Sequence, residues 1–237
     1  MHVFIFEPRE TRQLFLNKEL TAVGFHTHFI GKDFFETTIT KNAGYGPEFS
    51  ALLISDTSNA KKYIRSIRRA GYSMPVIAIS DKKDPISVSE LLNAGADDAV
   101  ASPFYGQELI SRIRSIIRRG HGHTSESVTI GELTVYFDGR DPLVSGEELS
   151  LSKREHEIFY HLALNAERIV SKNSIYDAIY SSNPDQPFDK VIDVYICKLR
   201  KKISESAVSG FSYILTVRGR GYRLCAPVDC GLSSASH

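Results

Sequence analysis

Five short apolar runs, each followed by a stretch of helical periodicity, fill residues 1–119 and restrict what this half of the chain can become. HVFIF (2–6), FHTHFI (25–30), SALLIS (50–55), PVIAIS (75–80) and DDAVA (97–101) read as strands, and 9–22, 33–42, 59–70, 84–94 and 104–119 as helices. Strands separated by helix-length crossovers run parallel, because a two-residue turn cannot return the chain in the same direction. The expected first domain, 1–119, is therefore a parallel α/β sheet covered on both faces, with its crevice at the carboxyl ends of the strands.

The second half changes rhythm. TIGELTVYFDGRDPLVSGEELSL (129–151) reads as short strands broken by Asp-Gly and Ser-Gly turns, a small antiparallel sheet ahead of helices. Ser152 with Glu155 forms a capping box for a helix to about Asn165 that faces Ile158, Phe159, Leu162 and Ala163 inward. A second helix covers 171–180, and two prolines in SSNPDQPFD (181–189) enforce a loop.

The third helix, DKVIDVYICKLRKKI (189–203), has two faces. Ile192, Ile196, Leu199 and Ile203 form a stripe that must be buried; Lys190, Val194, Cys197, Lys198 and Lys201 oppose it, with Tyr195, Arg200 and Lys202 on the flanks. A Lys-rich helix face is commonly just solvated. Here SYILTVRGRGYRLC (212–225) follows, two alternating strands around the turn Arg218-Gly219-Arg220-Gly221. A helix fits the major groove of DNA and a narrow minor groove attracts arginine, so a basic helix beside an Arg-tipped hairpin points to double-stranded DNA.

Composition agrees with a packed protein of one or two domains: 237 residues, 42% hydrophobic. No signal-peptide pattern and no long apolar run is present, so the chain is expected to be cytoplasmic and off the membrane. The net charge of +1 conceals a local patch: Lys190 to Arg223 holds eight Lys and Arg against two acids, Asp193 and Glu205. The three cysteines, Cys197, Cys225 and Cys230, have no zinc spacing and are not expected to form structural disulfides. Residues 120–127, with His121 and His123, read as a polar linker without a specific metal role, and 228–237 as a disordered tail.

ERIVSKNSIYDAIY, DKVIDVYICKLRKKI and TVRGRGYRL resemble the winged-helix effector domain of the OmpR/PhoB family of bacterial response regulators over residues 128–227. NAGADDAVASPF followed by ELISRIRSIIRR resembles the family's receiver domain, which implies a (βα)5 flavodoxin-like fold joined to an α+β winged helix-turn-helix domain. FDGRDP looks like alphaproteobacterial flagellar regulators, and VIDVYICKLRKK like the related cell-cycle regulator. The resemblance implies a non-enzymatic transcription regulator of promoter direct repeats, homodimeric, without cofactor, with Lys198 reading bases, Arg200 contacting phosphate and Arg218 entering the minor groove. Its loop at 181–189 implies a contact with RNA polymerase, or else a plain connector.

The receiver departs from the family where phosphate chemistry resides. An acyl phosphate needs a metal on an acidic pair, an aspartate, a hydroxyl and a lysine. Glu7 is kept, but Pro8 takes the second acidic position, Ser55 the phosphoacceptor position and Ser102 the lysine position before Pro103, while Ser80 matches the hydroxyl and Ala99 replaces an aromatic. The expectation is a phosphorylation-independent receiver. Asp56 is the alternative acceptor, otherwise the cap of the helix starting near Ser58; a scaffold without DNA binding is a further alternative. Asp97, Asp98, Glu108, Arg112 and Arg119 match the family's dimer face, with Leu92 and Ile110 at its apolar centre; Val88 and Asn93 stand where charged partners are usual.

Overall fold

The structure, a computed structural model, describes residues 1–38, 51–82, 84–180 and 188–227, without the side chains of 37, 38 and 188–190. The chain divides into two compact units, Met1–Gly120 and His121–His237.

The first unit is built on β1 (His2–Phe6), β2 (His26–Phe29), β3 (Ala51–Ser55), β4 (Val76–Ser80) and β5 (Asp98–Ala101), all parallel, in the order β2-β1-β3-β4-β5. Every residue of β3 and β4 is buried, which explains why their sequences read as unbroken apolar runs rather than alternating ones. The helices are α1 (Glu10–Ala22), a π-helical turn α2 (Phe34–Thr38), α3 (Ala60–Arg69), α4 (Pro85–Asn93) and α5 (Gly106–Gly120). Tyr63, Ile64 and Ile67 of α3 pack with Leu52, Ile54, Val76 and Ala78 on one face of the sheet. Asp84 caps α4 by accepting from the N–H groups of Ile86 and Ser87, and Pro85 supplies the preset first turn. The helix expected at 33–42 is a π-turn through Thr38, and its remainder lies outside the described residues. The strand order reverses between β1 and β3, which is where such a sheet opens its crevice.

The second unit opens with antiparallel strands β6 (Ser127–Ile130), β7 (Leu133–Tyr136), β8 (Leu143–Val144) and β9 (Glu147–Glu148). It continues with α6 (Lys153–Leu164), β10 (Ile169–Val170), α7 (Lys172–Tyr180), α8 (Phe188–Ser206), β11 (Ile214–Val217) and β12 (Gly221–Leu224). Strands β10, β12 and β11 form a second antiparallel sheet. The capping box is present: the Ser152 N–H donates to Glu155 at 2.8 Å. Glu132, in the β6–β7 turn, accepts from the Val208 N–H (2.9 Å), the Tyr213 hydroxyl (2.9 Å) and the Ser145 hydroxyl (3.1 Å), and from Ser209.

Three expectations need correction. His123 is not part of a loose linker: its ring lies 4.8 Å from that of Phe137 and its Nε2 2.9 Å from the Leu164 carbonyl, because an imidazole has an apolar face and a polar edge to satisfy together. Cys225 is buried and disulfide-bonded, its partner lying outside the described residues, while Cys197 is free and exposed. An odd cysteine count leaves room for one bridge and cannot exclude it. Asp56 caps no helix, since α3 begins at Ala60 with Asn59 at its N-cap position. The tail, 228–237, is outside the described residues.

The hydrogen bonds from Ser209, Tyr213 and Ser145 hold the Glu132 carboxyl at about 2, against an ordinary 4.5. The unfolded chain takes up that proton at the higher pH, so this stability is present above about pH 4.5 and is lost as pH falls toward about 2. Urea unfolding between about pH 3 and pH 6 should show the loss, and Glu132→Gln should flatten it; an unchanged slope in the variant would refute the role.

Candidate nucleic-acid interface

Helix α8 is held from below by Ile192, Ile196, Leu199 and Ile203, each at most 2% exposed. Burying four branched residues on one stripe anchors the helix and turns the opposite stripe outward. There Val194 is 51% exposed, and Cys197, Lys198 and Lys201 are exposed around it. Lys198 extends over the Tyr195 ring, its Nζ 5.6 Å from the centroid, so the aromatic face steadies the ammonium. Lys201 Nζ lies 3.8 Å from Glu205 Oε1. Lys190 lies in the first turn of α8 with its side chain outside the described residues, as does the proline loop expected to meet RNA polymerase, 181–187.

Strands β11 and β12 pair through Val217 and Gly221, and the turn between them presents Arg218 and Arg220 to solvent. Gly219, at φ +72°, permits that turn.

Two pins join helix to hairpin, and the sequence showed neither. Asp193 accepts from Lys172 Nζ at 2.8 Å and from the Tyr222 hydroxyl, linking α8 to α7 and β12. These two donors hold the Asp193 carboxyl below its ordinary range, while burial and the Asp193 carboxylate push the Tyr222 hydroxyl up to about 12. Arg200 donates from Nε to the Ile214 carbonyl (2.7 Å) and from Nη2 to Thr216 Oγ1 (2.8 Å), with its guanidinium 5.8 Å from the Tyr222 ring centroid. The expected phosphate-contacting Arg200 is thus committed to β11 and β12. Lys202 likewise faces away, donating to the Ser150 carbonyl and to Glu155, both at 2.9 Å. Sequence separations of 14 to 52 residues hide such partners from any local pattern.

In the first unit Glu7, Ser55 and Ser102 are joined through a hydrogen-bonded network that includes two arginines. Glu7 accepts from Arg9 at Nε (2.8 Å), Nη2 (3.0 Å) and the backbone N–H (2.9 Å), and from the Ser55 hydroxyl. Arg12 lies with Nη1 3.5 Å from Glu7, and its Nη2 meets Asp81 at 2.7 Å and Ser102 Oγ at 3.1 Å. Arg9 also pairs with Asp81. Ser80 donates to the Lys82 carbonyl at 3.0 Å, and its hydroxyl lies 3.5 Å from Asp56. Arg9, Arg12 and Asp81 were missed; the signal was two arginines three positions apart around the start of a helix that follows a strand-end acid. Among the described residues, no group of three or more His, Cys, Asp or Glu side chains could hold a metal ion.

On the expected dimer face, Leu92 is 41% exposed, but Ile110 is 3% exposed and belongs to the unit's own core rather than to a surface. Helical periodicity leaves Ile110 at the edge of the buried stripe of α5, and only packing settles its side. Asp97 accepts from Arg68 (2.6 Å) and the Val76 N–H (2.7 Å), and Arg112 pairs with Asp98 (2.9 Å) and Glu108 (3.0 Å). Arg119 turns back to the Ser115 carbonyl at 3.4 Å. These charges have partners within the chain. Among the described residues, no helix is long and apolar enough to cross a membrane.

A family model described as "Transcriptional regulatory protein, C terminal" matches residues 146–224. The cell cycle response regulators CtrA of Brucella anthropi and Brucella ovis are each 38% identical to the chain over 165 residues, covering 69% of it and 70% of their own length. Among solved structures, the response regulator DrrB of Thermotoga maritima, an OmpR/PhoB homolog, is 23% identical at a TM-score of 0.40, covering 95% of this chain and 99% of that one. The RstA DNA-binding domain of Klebsiella pneumoniae, in complex with its RstA box, is 27% identical at a TM-score of 0.37, covering 43% of this chain and 98% of its own. The sequence matches, reaching from the winged-helix unit well into the α/β unit, show that the chain belongs to the OmpR/PhoB family of response regulators.

Proposed function

We propose that this chain is a sequence-specific transcription regulator that binds double-stranded DNA as a homodimer and acts without phosphorylation. The observation that carries the DNA reading is the outward stripe Val194, Cys197, Lys198 and Lys201 on a helix fastened to a hairpin whose tip holds Arg218 and Arg220. A helix face with ammonium groups reads base edges and phosphates, an exposed valine suits a thymine methyl, and a neighbouring arginine suits a narrow minor groove. A receiver dimer would set two such modules on direct repeats.

Selection of duplexes from a randomised pool, followed by gel shifts of the winners, tests the reading. Selected and random duplexes should separate by about 10³ or more in affinity, and affinity should fall steeply with salt. Equal binding to both pools would leave only a charged surface. For the control mechanism, sedimentation of the untreated protein should give a dimer, and acetyl phosphate with Mg²⁺ should add no mass and leave DNA affinity unchanged. A monomer that dimerises only with a phosphodonor overturns this part alone.

A further inference from the structure

Receivers of this family hold Mg²⁺ on carboxylates at the ends of the first and third strands. The residues here do not fit that ion. Hard cations need several free oxygens at short distance. Glu7 is the only carboxylate at the end of β1; both its oxygens are taken by Arg9, with Ser55 on one of them, Pro8 offers none, and β3 ends in Ser55.

We infer that Arg9 and Arg12 are the resident cations of this crevice and act as a lock, fastening the end of β1 to the segments that follow β4 and β5. The inference rests on the phosphorylation-independent reading and says what enforces it. The Glu7 side chain is fully buried, and a buried carboxylate persists as a charge only when paired. Arg9 supplies the pairing as a planar fork and also reaches Asp81, just past β4. Arg12 joins the same Asp81 to Ser102, just past β5, while lying within ion-pair range of Glu7. One network thus spans the ends of β1, β3, β4 and β5, two guanidinium charges facing the two carboxylates of Glu7 and Asp81. Burial pushes both carboxyls up, yet the arginine hydrogen bonds, with Ser55 at Glu7, hold them below their ordinary range. A segment tied this way needs no ligand to choose its conformation.

The test uses the full chain and hydrogen exchange read by mass spectrometry, with Mn²⁺ binding read by electron paramagnetic resonance. In the unmodified protein, exchange over Ser80–Lys82 and Ser102–Tyr105 should stay within about twofold on addition of Mg²⁺ and beryllofluoride, and no Mn²⁺ should bind in the crevice. In the Arg9→Gln, Arg12→Gln double variant, exchange in those segments should rise about tenfold or more, while α8 in the other unit keeps its protection as the control for folding. Arg9→Lys retains charge without the fork and should recover only part of the protection, which keeps the test decisive if the double variant unfolds. Mn²⁺ bound beside Glu7 in the unmodified protein, or variants that exchange like it, would overturn the lock. A protein whose dimerisation follows phosphodonor defeats the phosphorylation-independent reading itself; insensitivity to phosphodonor with unchanged exchange in the variants defeats only the arginines.

Discussion

Gly221→Ala should dismantle the hairpin that carries Arg218 and Arg220. Gly221 opens β12 at φ +136°, and a methyl group there would lie 2.0 Å from the Val170 carbonyl oxygen and 2.8 Å from Ser171 Cα. Those atoms are backbone of β10 and of the residue that links it to α7, so neither can swing aside as a side chain would. Backbone strain of about 1–3 kcal/mol and overpacking of similar size together predict a loss of about 2–6 kcal/mol. Because β12 pairs with both β10 and β11, the whole three-stranded sheet should loosen and DNA affinity should fall with it. Gly219→Ala is the internal comparison: at φ +72° with nothing within 4 Å, it should cost only about 1–2 kcal/mol. Thermal unfolding of the two variants decides the matter; equal shifts would mean that β12 does not press on β10.

Lys198→Ala and Arg200→Ala should fail in different ways. Lys198 is exposed on the outward stripe of α8, steadied by Tyr195, and its loss should reduce binding to a selected duplex by about 1–3 kcal/mol while hardly changing binding to random DNA. Arg200 is engaged with the Ile214 carbonyl, Thr216 and the Tyr222 ring, so its removal leaves polar groups unmet and lets the hairpin move relative to the helix. Arg200→Ala should therefore lower stability by about 1–3 kcal/mol, with a lower unfolding midpoint as its signature. A drop in salt slope of about one with an unchanged midpoint would restore Arg200 as a phosphate contact. Equal losses on selected and random duplexes for Lys198→Ala would remove it as a base reader.

The parallel sheet was legible from the chain because its evidence is periodic and local: buried strands such as ALLIS and VIAIS are continuous apolar runs, and α5 repeats its isoleucines at helical spacing. So were the two faces of α8 and the glycine-bounded turn at Arg218, since burial on one stripe dictates exposure on the other. The loss of acidic and lysine positions at Pro8, Ser55 and Ser102 was equally plain, because residue type alone states which charges are missing.

What occupies their place was not, and neither was the fate of Arg200, Ile110, Asp97 or His123. Each of these depends on which group stands opposite across the fold: Asp81 is 72 residues from Arg9, Ser102 is 90 from Arg12, and Tyr222 is 29 from Asp193. A charged or amphipathic side chain carries the same pattern whether it faces solvent, DNA or a buried partner, and the choice is made by desolvation and pairing once the chain has closed on itself. The two folds, the basic outer face of α8 and the loss of several phosphate-handling groups can be read from the chain's own patterns; that two arginines pair with Glu7 and Asp81 and that Arg200 ties the helix to its hairpin follows only from closure of the fold, because ion pairs and hydrogen bonds are set by distance in space rather than along the chain.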